Sequence, residues 1–172
     1  SGERWRSHLL GSLLGPGMVA GVVEAFQRAP RLGVVMPRNW PPIETSISWG
    51  YDFDRARALA GRMDIRLHQR DVLEFPAGSM FWSRRGALKP LLDLNLRVGD
   101  FEPEDGLPRG SLAHAIERLV LHICEKAGFD WLRISGDVPT PAFFDQATAP
   151  EELDAVIARH RRAITRARLI IR

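Results

Sequence analysis

The chain has a single cysteine, Cys124, among its 172 residues, and one thiol cannot close an intrachain disulfide. That excludes a disulfide-stapled scaffold and agrees with a reducing compartment. Because Cys124 lies in an apolar helical pattern, it reads as a buried, inert thiol. Long apolar runs are lacking too: none approaches the ~20 residues of a membrane-spanning helix, and no signal-peptide pattern opens the chain. There is no internal repeat and no low-complexity tract, so solenoid and linker architectures drop out. No strong excess of one charge is present either, since 24 Lys and Arg face 21 Asp and Glu. A basic excess this small fits an acidic substrate or a membrane surface and establishes neither. The first residue is Ser rather than Met, and the expectation is a piece of a longer polypeptide.

What is present alternates between helix and strand. Trp5, Leu9, Leu10, Leu13 and Leu14 recur at helical spacing before Gly15-Pro16 stops them, and "GMVAGVVEAFQRA" continues as a second helix that ends at Pro30. "RLGVVMP" is β-branched, short and bounded by proline, the signature of a buried strand. "RNWPPIETSISWG" is too proline-rich for regular structure and is a candidate substrate loop. Asp52 to Met63 returns to helix, "DVLEFPAGSMFWSRR" contains a strand interrupted at Pro76 and Gly78, and "GALKPLLDL" is a short helix. From Ser111 to about Ala127 a longer helix carries Leu112, Ala115, Ile116, Leu119, Val120 and Ile123 on its apolar side, then "FDWLRI" forms a strand. A last helix is expected near Pro150. The resulting expectation is an α/β layered fold, a thin mixed sheet flanked by helices.

Four constellations carry chemistry, each with a plainer competitor. Asp52 and Asp54 form a D-x-D, a spacing that can hold a divalent cation on two phosphates. Asp52 also sits where a helix N-cap belongs and Asp54 falls in the first turn, and the cap reading is preferred. In "FPAGSMFW", Phe75, Met80 and Trp82 offer flat apolar surfaces for a sugar ring, and Gly78 leaves room for close approach. The competing reading is that alternate residues fill the core, and Phe81 is assigned there. Ser111 is an N-cap whose neighbours Arg109 and Gly110 would present a cation and backbone amides to a phosphate. His114, Glu117 and Arg118 stand at i, i+3 and i+4, so they share one helix face, and the acids Glu104 and Asp105 just upstream could accept a proton from a hydroxyl nucleophile. Against this stands an ordinary solvated Glu117–Arg118 pair. A His-x-x-Glu pair offers two ligands at most, so no closed metal site is expected. His8, His68, His122 and His160 lack partner spacing and read as surface or core-edge residues. The basic run "RHRRAITRARLIIR" could lie on anionic lipid, with a solvated helix as the plainer option. Nothing in it resembles a nucleic-acid reading motif.

In their order and separations, "WRSHLLGSLLG", "RLGVVMP", "FPAGSMFWSRRGALKPLLDL", "DFEPEDG" and "GSLAHAIERL" resemble the rhamnan synthesis protein F family of bacterial cell-surface polysaccharide assembly. The resemblance runs from Trp5 to about Leu119. It implies a glycosyltransferase whose motif order is similar to the acceptor-side, C-terminal half of a GT-A domain, and a partial domain over 1–150 followed by a basic helix or linker over 151–172. It further implies inverting transfer of a sugar, rhamnose by the family's products, from a nucleotide sugar to a glycan acceptor. Glu104 or Asp105 would be the base, with His114, Glu117 and Arg118 beside it. Phe75, Gly78, Met80 and Trp82 would meet the acceptor, and Arg109, Gly110 and Ser111 a phosphate.

No cofactor site is complete in this chain on that reading, and a magnesium or manganese ion would belong to the full-length protein together with the nucleotide-binding half. The expected setting is cytoplasmic, peripheral at the inner face of the plasma membrane, with other domains of a longer polypeptide as partners. One departure stands out. Where the family reads like Gln-x-Asp-Gly-Thr before the helix, this chain has Leu107, Pro108, Arg109, Gly110 and Ser111. An arginine in the acid's place supports the alternative of a non-catalytic carbohydrate-binding or assembly module.

Overall fold

The computed structural model describes residues 2–44, 47–70, 73–103 and 110–134. Over these the order is α1 (Gly2–Leu14), α2 (Met18–Arg28), β1 (Leu32–Pro37), α3 (Pro41–Glu44), α4 (Phe53–Arg62), β2 (Trp82–Ser83), α5 (Lys89–Leu92), α6 (Leu112–Lys126) and β3 (Asp130–Ile134). Single 3-10 turns at Gly50–Asp52, Arg85–Leu88 and Val98–Asp100 join them. The expected helix near Pro150 and the 151–172 segment lie outside the described residues.

Three strands make a mixed sheet in the order β2-β1-β3, with β1 antiparallel to β2 and parallel to β3. Every residue of β1 is buried, as a central strand covered on both faces must be. A register shift between Leu32 and Val34 puts a bulge at Gly33, and it has a visible consequence. Leu32 and Val35, three apart, both pack under α1 and α2, whereas Val34 and Met36 pack on the opposite side with Val120, Leu121 and Cys124 of α6. Gly33 is required: a Cβ there would lie 2.5 Å from Phe129 Cβ and 2.7 Å from Ala87 Cβ.

The layers follow from amphipathic stripes. Met18, Val22 and Ala25 of α2 close one face of the sheet. α6 covers the other and, through Ala115, Leu119 and Ile123, packs on Ala56, Leu59 and Ala60 of α4. Arg84 stitches the first layer to the sheet, donating from Nε to Leu32 O at 2.8 Å and from Nη2 to Phe26 O, so that a guanidinium meets the carbonyl end of α2. Among the described residues no single helix is long and apolar enough to cross a membrane.

Three expectations are corrected. The strand within "DVLEFPAGSMFWSRR" shrinks to Trp82–Ser83, because Pro76 has no N–H to give and Gly78 and Ser79 both take positive φ, 91° and 56°. Ser79 N donates to Pro76 O at 2.8 Å, which closes a turn where the ladder would have run. In the proline-rich loop, Pro41–Glu44 winds into one helical turn, since proline is tolerated at the first helical positions. Cys124 is buried as expected, and burial pushes its thiol up to about 12. His122 is buried rather than at an edge, its ring 6.1 Å from that of Trp49.

Candidate functional site

Helix α6 begins where three segments converge. Ser111 is its N-cap, accepting from His114 N at 3.2 Å, and the same hydroxyl meets His114 Nδ1 at 2.8 Å. That bond fixes the imidazole on the helix face one turn in, and Nε2 has no hydrogen bond among the described residues. Gly110 enters the helix at φ 87°, and its amide donates to Asp52 Oδ1 at 2.7 Å. Leu112 N donates to Glu102 Oε2 at 2.9 Å, and Glu102 also pairs with Arg55. The exposed amides of a helix start attract anions, and here Glu102 satisfies that of Leu112 and Ser111 that of His114, while Asp52 takes the Gly110 amide just ahead of the cap.

His114, Glu117 and Arg118 come together as their spacing implies, and the third dimension supplies their partners. Arg118 Nη2 lies 2.8 Å from Asp52 Oδ2, with side chains only 15% and 8% exposed. Its Nε reaches Ser48 O at 3.4 Å, and its guanidinium stacks 5.0 Å over the Phe75 ring. Glu117 Oε1 accepts from Gly78 N at 2.8 Å and Ser79 Oγ at 3.3 Å, while Oε2 lies 3.4 Å from Arg118. The Glu117–Arg118 pair is therefore an internal clamp that binds the 75–79 turn, α6 and the 48–52 segment, not a solvated surface pair. Asn39, buried, adds a bond from Nδ2 to Phe75 O at 3.3 Å and holds that turn to the loop after β1.

Around this clamp lie two adjoining cavities. The larger, about 520 Å³, is walled by Trp5, Ile43, Ile47, Phe75 and Gly78 together with His114, Glu117 and Arg118. The smaller, about 250 Å³, is bounded by Ser48, Tyr51 and Asp52 and shares His114 and Arg118 with the first. Gly78 earns its place by conformation as much as by room, since its φ is positive and a Cβ would come within 2.9 Å of Leu9.

Not every residue singled out from the sequence arrives here. Met80 is exposed and does not line the cavity. Trp82 packs against the α1–α2 core, and its Nε1 donates to Leu13 O at 3.2 Å, a carbonyl at the end of α1. Glu104, Asp105 and Arg109 lie outside the described residues. Asp52 holds the N-cap position of α4, but its side chain makes no cap hydrogen bond. Arg118 and the Gly110 amide claim its two oxygens instead, which corrects the cap reading. Asp54 is 88% exposed and pairs with Arg57, so the D-x-D carboxylates do not converge on one ion. Among the described residues no three His, Cys, Asp or Glu side chains cluster as metal ligands.

Sequence reasoning missed Asp52 as the partner of Arg118, Glu102 as a second occupant of the helix start, and Trp5, Ile43 and Ile47 as walls. Asp52 and Gly110 are 58 residues apart, and no local spacing could have joined them. The proline-rich loop, flagged as substrate-facing, was the one available pointer to the two isoleucines.

Comparison with known proteins gives the chain its relatives. It is 41% identical over 120 residues to an uncharacterized protein, WxcX, of Xanthomonas campestris pv. campestris strain B100, and equally so to the WxcX of strain ATCC 33913. The match covers 69% of this chain and 17% of each relative, so the chain spans about a sixth of their length. No solved structure matches. The family model described as rhamnan synthesis protein F matches residues 1–129, and the chain belongs to that family, as its motif order implied.

Proposed function

We propose that the chain forms the acceptor-side part of a glycosyltransferase of polysaccharide synthesis, and that the cleft at the head of α6 holds a sugar of the growing glycan. One observation carries the reading: an apolar wall of Trp5, Ile43, Ile47 and Phe75 encloses the same space as the polar groups His114, Glu117 and Arg118. A pyranose has matching surfaces, a C–H face that packs on apolar rings and a rim of hydroxyls that seeks fixed donors and acceptors. The cavity's volume of about 520 Å³ falls within the ~300–1,000 Å³ of small-molecule sites. Membership of a family described by rhamnan synthesis supports rhamnose as the sugar.

In the transfer so proposed, an acceptor hydroxyl oxygen attacks the anomeric carbon of the donor. The bond from that carbon to the diphosphate breaks with inversion, and the hydroxyl proton passes to a base. Glu104 or Asp105 is assigned that role by position in the sequence. The donor nucleotide, and a magnesium or manganese ion to meet the departing diphosphate, are assigned to other parts of a longer polypeptide at the inner face of the plasma membrane. His114 Nε2 orients the acceptor. Glu117 is poorly suited as base, because three donors already hold its carboxylate. Transfer from a nucleoside-diphosphate rhamnose, assayed in the longer protein with Glu104→Gln and Asp105→Asn made separately, tests the assignment. Full activity in both variants removes both as base.

A second reading has an observation of its own. Since Glu117 and Arg118 are spent on holding the fold together, and Arg109 replaces the family's acid, the cleft can serve as a glycan-binding module without turnover. Saturable glycan binding with no release of nucleoside diphosphate would select it.

A further inference from the structure

We infer that Asp52 sets the charge of the ligand this cleft accepts, making it a site for uncharged sugar hydroxyls that is closed to phosphate and carboxylate groups. The nature of the ligand rests on the glycan reading above; the charge selectivity rests on the geometry alone. A fifteen-residue helix such as α6 would ordinarily draw an anion to its N-terminus. Here Asp52 takes the Gly110 amide at 2.7 Å, Glu102 takes that of Leu112 at 2.9 Å, and Ser111 that of His114. Arg118 is the one Lys or Arg among the described residues lining the two cavities, and Asp52 and Glu117 both bind it. Two carboxylates against one guanidinium leave these three groups with a net negative charge.

An arriving phosphate would find, among the described residues, no free cation and two poorly solvated carboxylates, which salt screens little because Asp52 is buried and Glu117 largely so. A hydroxyl would find carboxylate acceptors and an imidazole. Between the two acids, Asp52 is the determinant. Glu117 also holds the turn at Gly78 and Ser79, whereas among the described residues the Asp52 carboxylate serves Arg118 and the head of α6.

The test is calorimetric titration of the 172-residue chain at low ionic strength with a neutral rhamnose oligosaccharide and, separately, with inorganic pyrophosphate. Wild type should bind pyrophosphate at least tenfold more weakly than the oligosaccharide. Asp52→Asn, which keeps an oxygen for Gly110 but releases Arg118, should bind pyrophosphate at least tenfold more tightly than wild type. Equal or tighter pyrophosphate binding by wild type, or a folded D52N protein with no gain, overturns the inference. Should D52N fail to fold by circular dichroism, the wild-type preference decides, together with Glu102→Gln, which must also gain pyrophosphate affinity. If wild type binds neither probe, the glycan reading falls, and the pyrophosphate gain in the variants still decides the charge selectivity.

Discussion

Removing either partner of the Asp52–Arg118 pair should destabilise the fold by about 3 kcal/mol, and removing both should cost little more than removing one. The contact is 2.8 Å. At an effective dielectric of ~20, its gross Coulomb attraction is about 6 kcal/mol, much of it offset by the desolvation of two buried groups. What survives is best judged from the charge left behind, since stripping one member of a buried pair costs ~3–5 kcal/mol. After Asp52→Ala, Glu117 remains 3.4 Å from Arg118 and holds part of its charge, so the low end, about 3 kcal/mol, applies. Arg118→Ala leaves Asp52, among the described residues, with the Gly110 amide as its partner and takes a cation from the Phe75 ring, worth ~0.5–1 kcal/mol. The double variant strands neither charge, so the cycle should show a coupling of about 2–3 kcal/mol, well above the ~0.5 kcal/mol of independent sites. Urea unfolding with unchanged m-values is the assay, and each single variant should lose about 6–12 °C in its thermal midpoint. A coupling below ~0.5 kcal/mol would refute the claim that this pair locks the 48–52 segment to α6.

Three further outcomes follow from other parts of the molecule. Gly33→Ala must drive a Cβ to within 2.5 Å of Phe129 Cβ and 2.7 Å of Ala87 Cβ; neither can swing aside, and thermal denaturation should show a loss near the top of the ~1–3 kcal/mol overpacking range. Cys124, its thiol pushed up to about 12 by burial, should resist an aromatic disulfide reagent at pH 8 in the native protein and react at once in urea. Lys126, by hydrogen bond and charge, holds Asp64 below the ordinary 3.8, so this contact stabilises the fold above that pH and is lost as the pH falls through the lower folded value. Asp64→Asn should therefore be less stable than wild type at pH 6, with the gap between urea midpoints closing towards pH 3. A gap that stays constant would mean that the charge is irrelevant, since Asn tolerates the φ of 53° at this position.

What the sequence determined by itself was whatever depends on near neighbours. The stripe of Leu112, Ala115, Leu119 and Ile123 fixed α6, Ser111 fixed its start, and "RLGVVMP" could be little other than a buried strand. The shared face of His114, Glu117 and Arg118 was legible for the same reason, because i, i+3 and i+4 are neighbours on a helix whatever the rest of the chain does. Trp82 shows where such reasoning stops. A tryptophan beside a glycine in an aromatic run looks identical whether it meets a sugar or caps the last turn of α1, and the position of α1 decided for the latter. Asp52 shows it more sharply. Locally it is a helix cap beside a second acid, and only the approach of Gly110 and Arg118 across the fold turned its carboxylate inward. Tertiary structure thus decided the electrostatics of the cleft, because burial and pairing belong to the assembled molecule and no spacing along the chain encodes them.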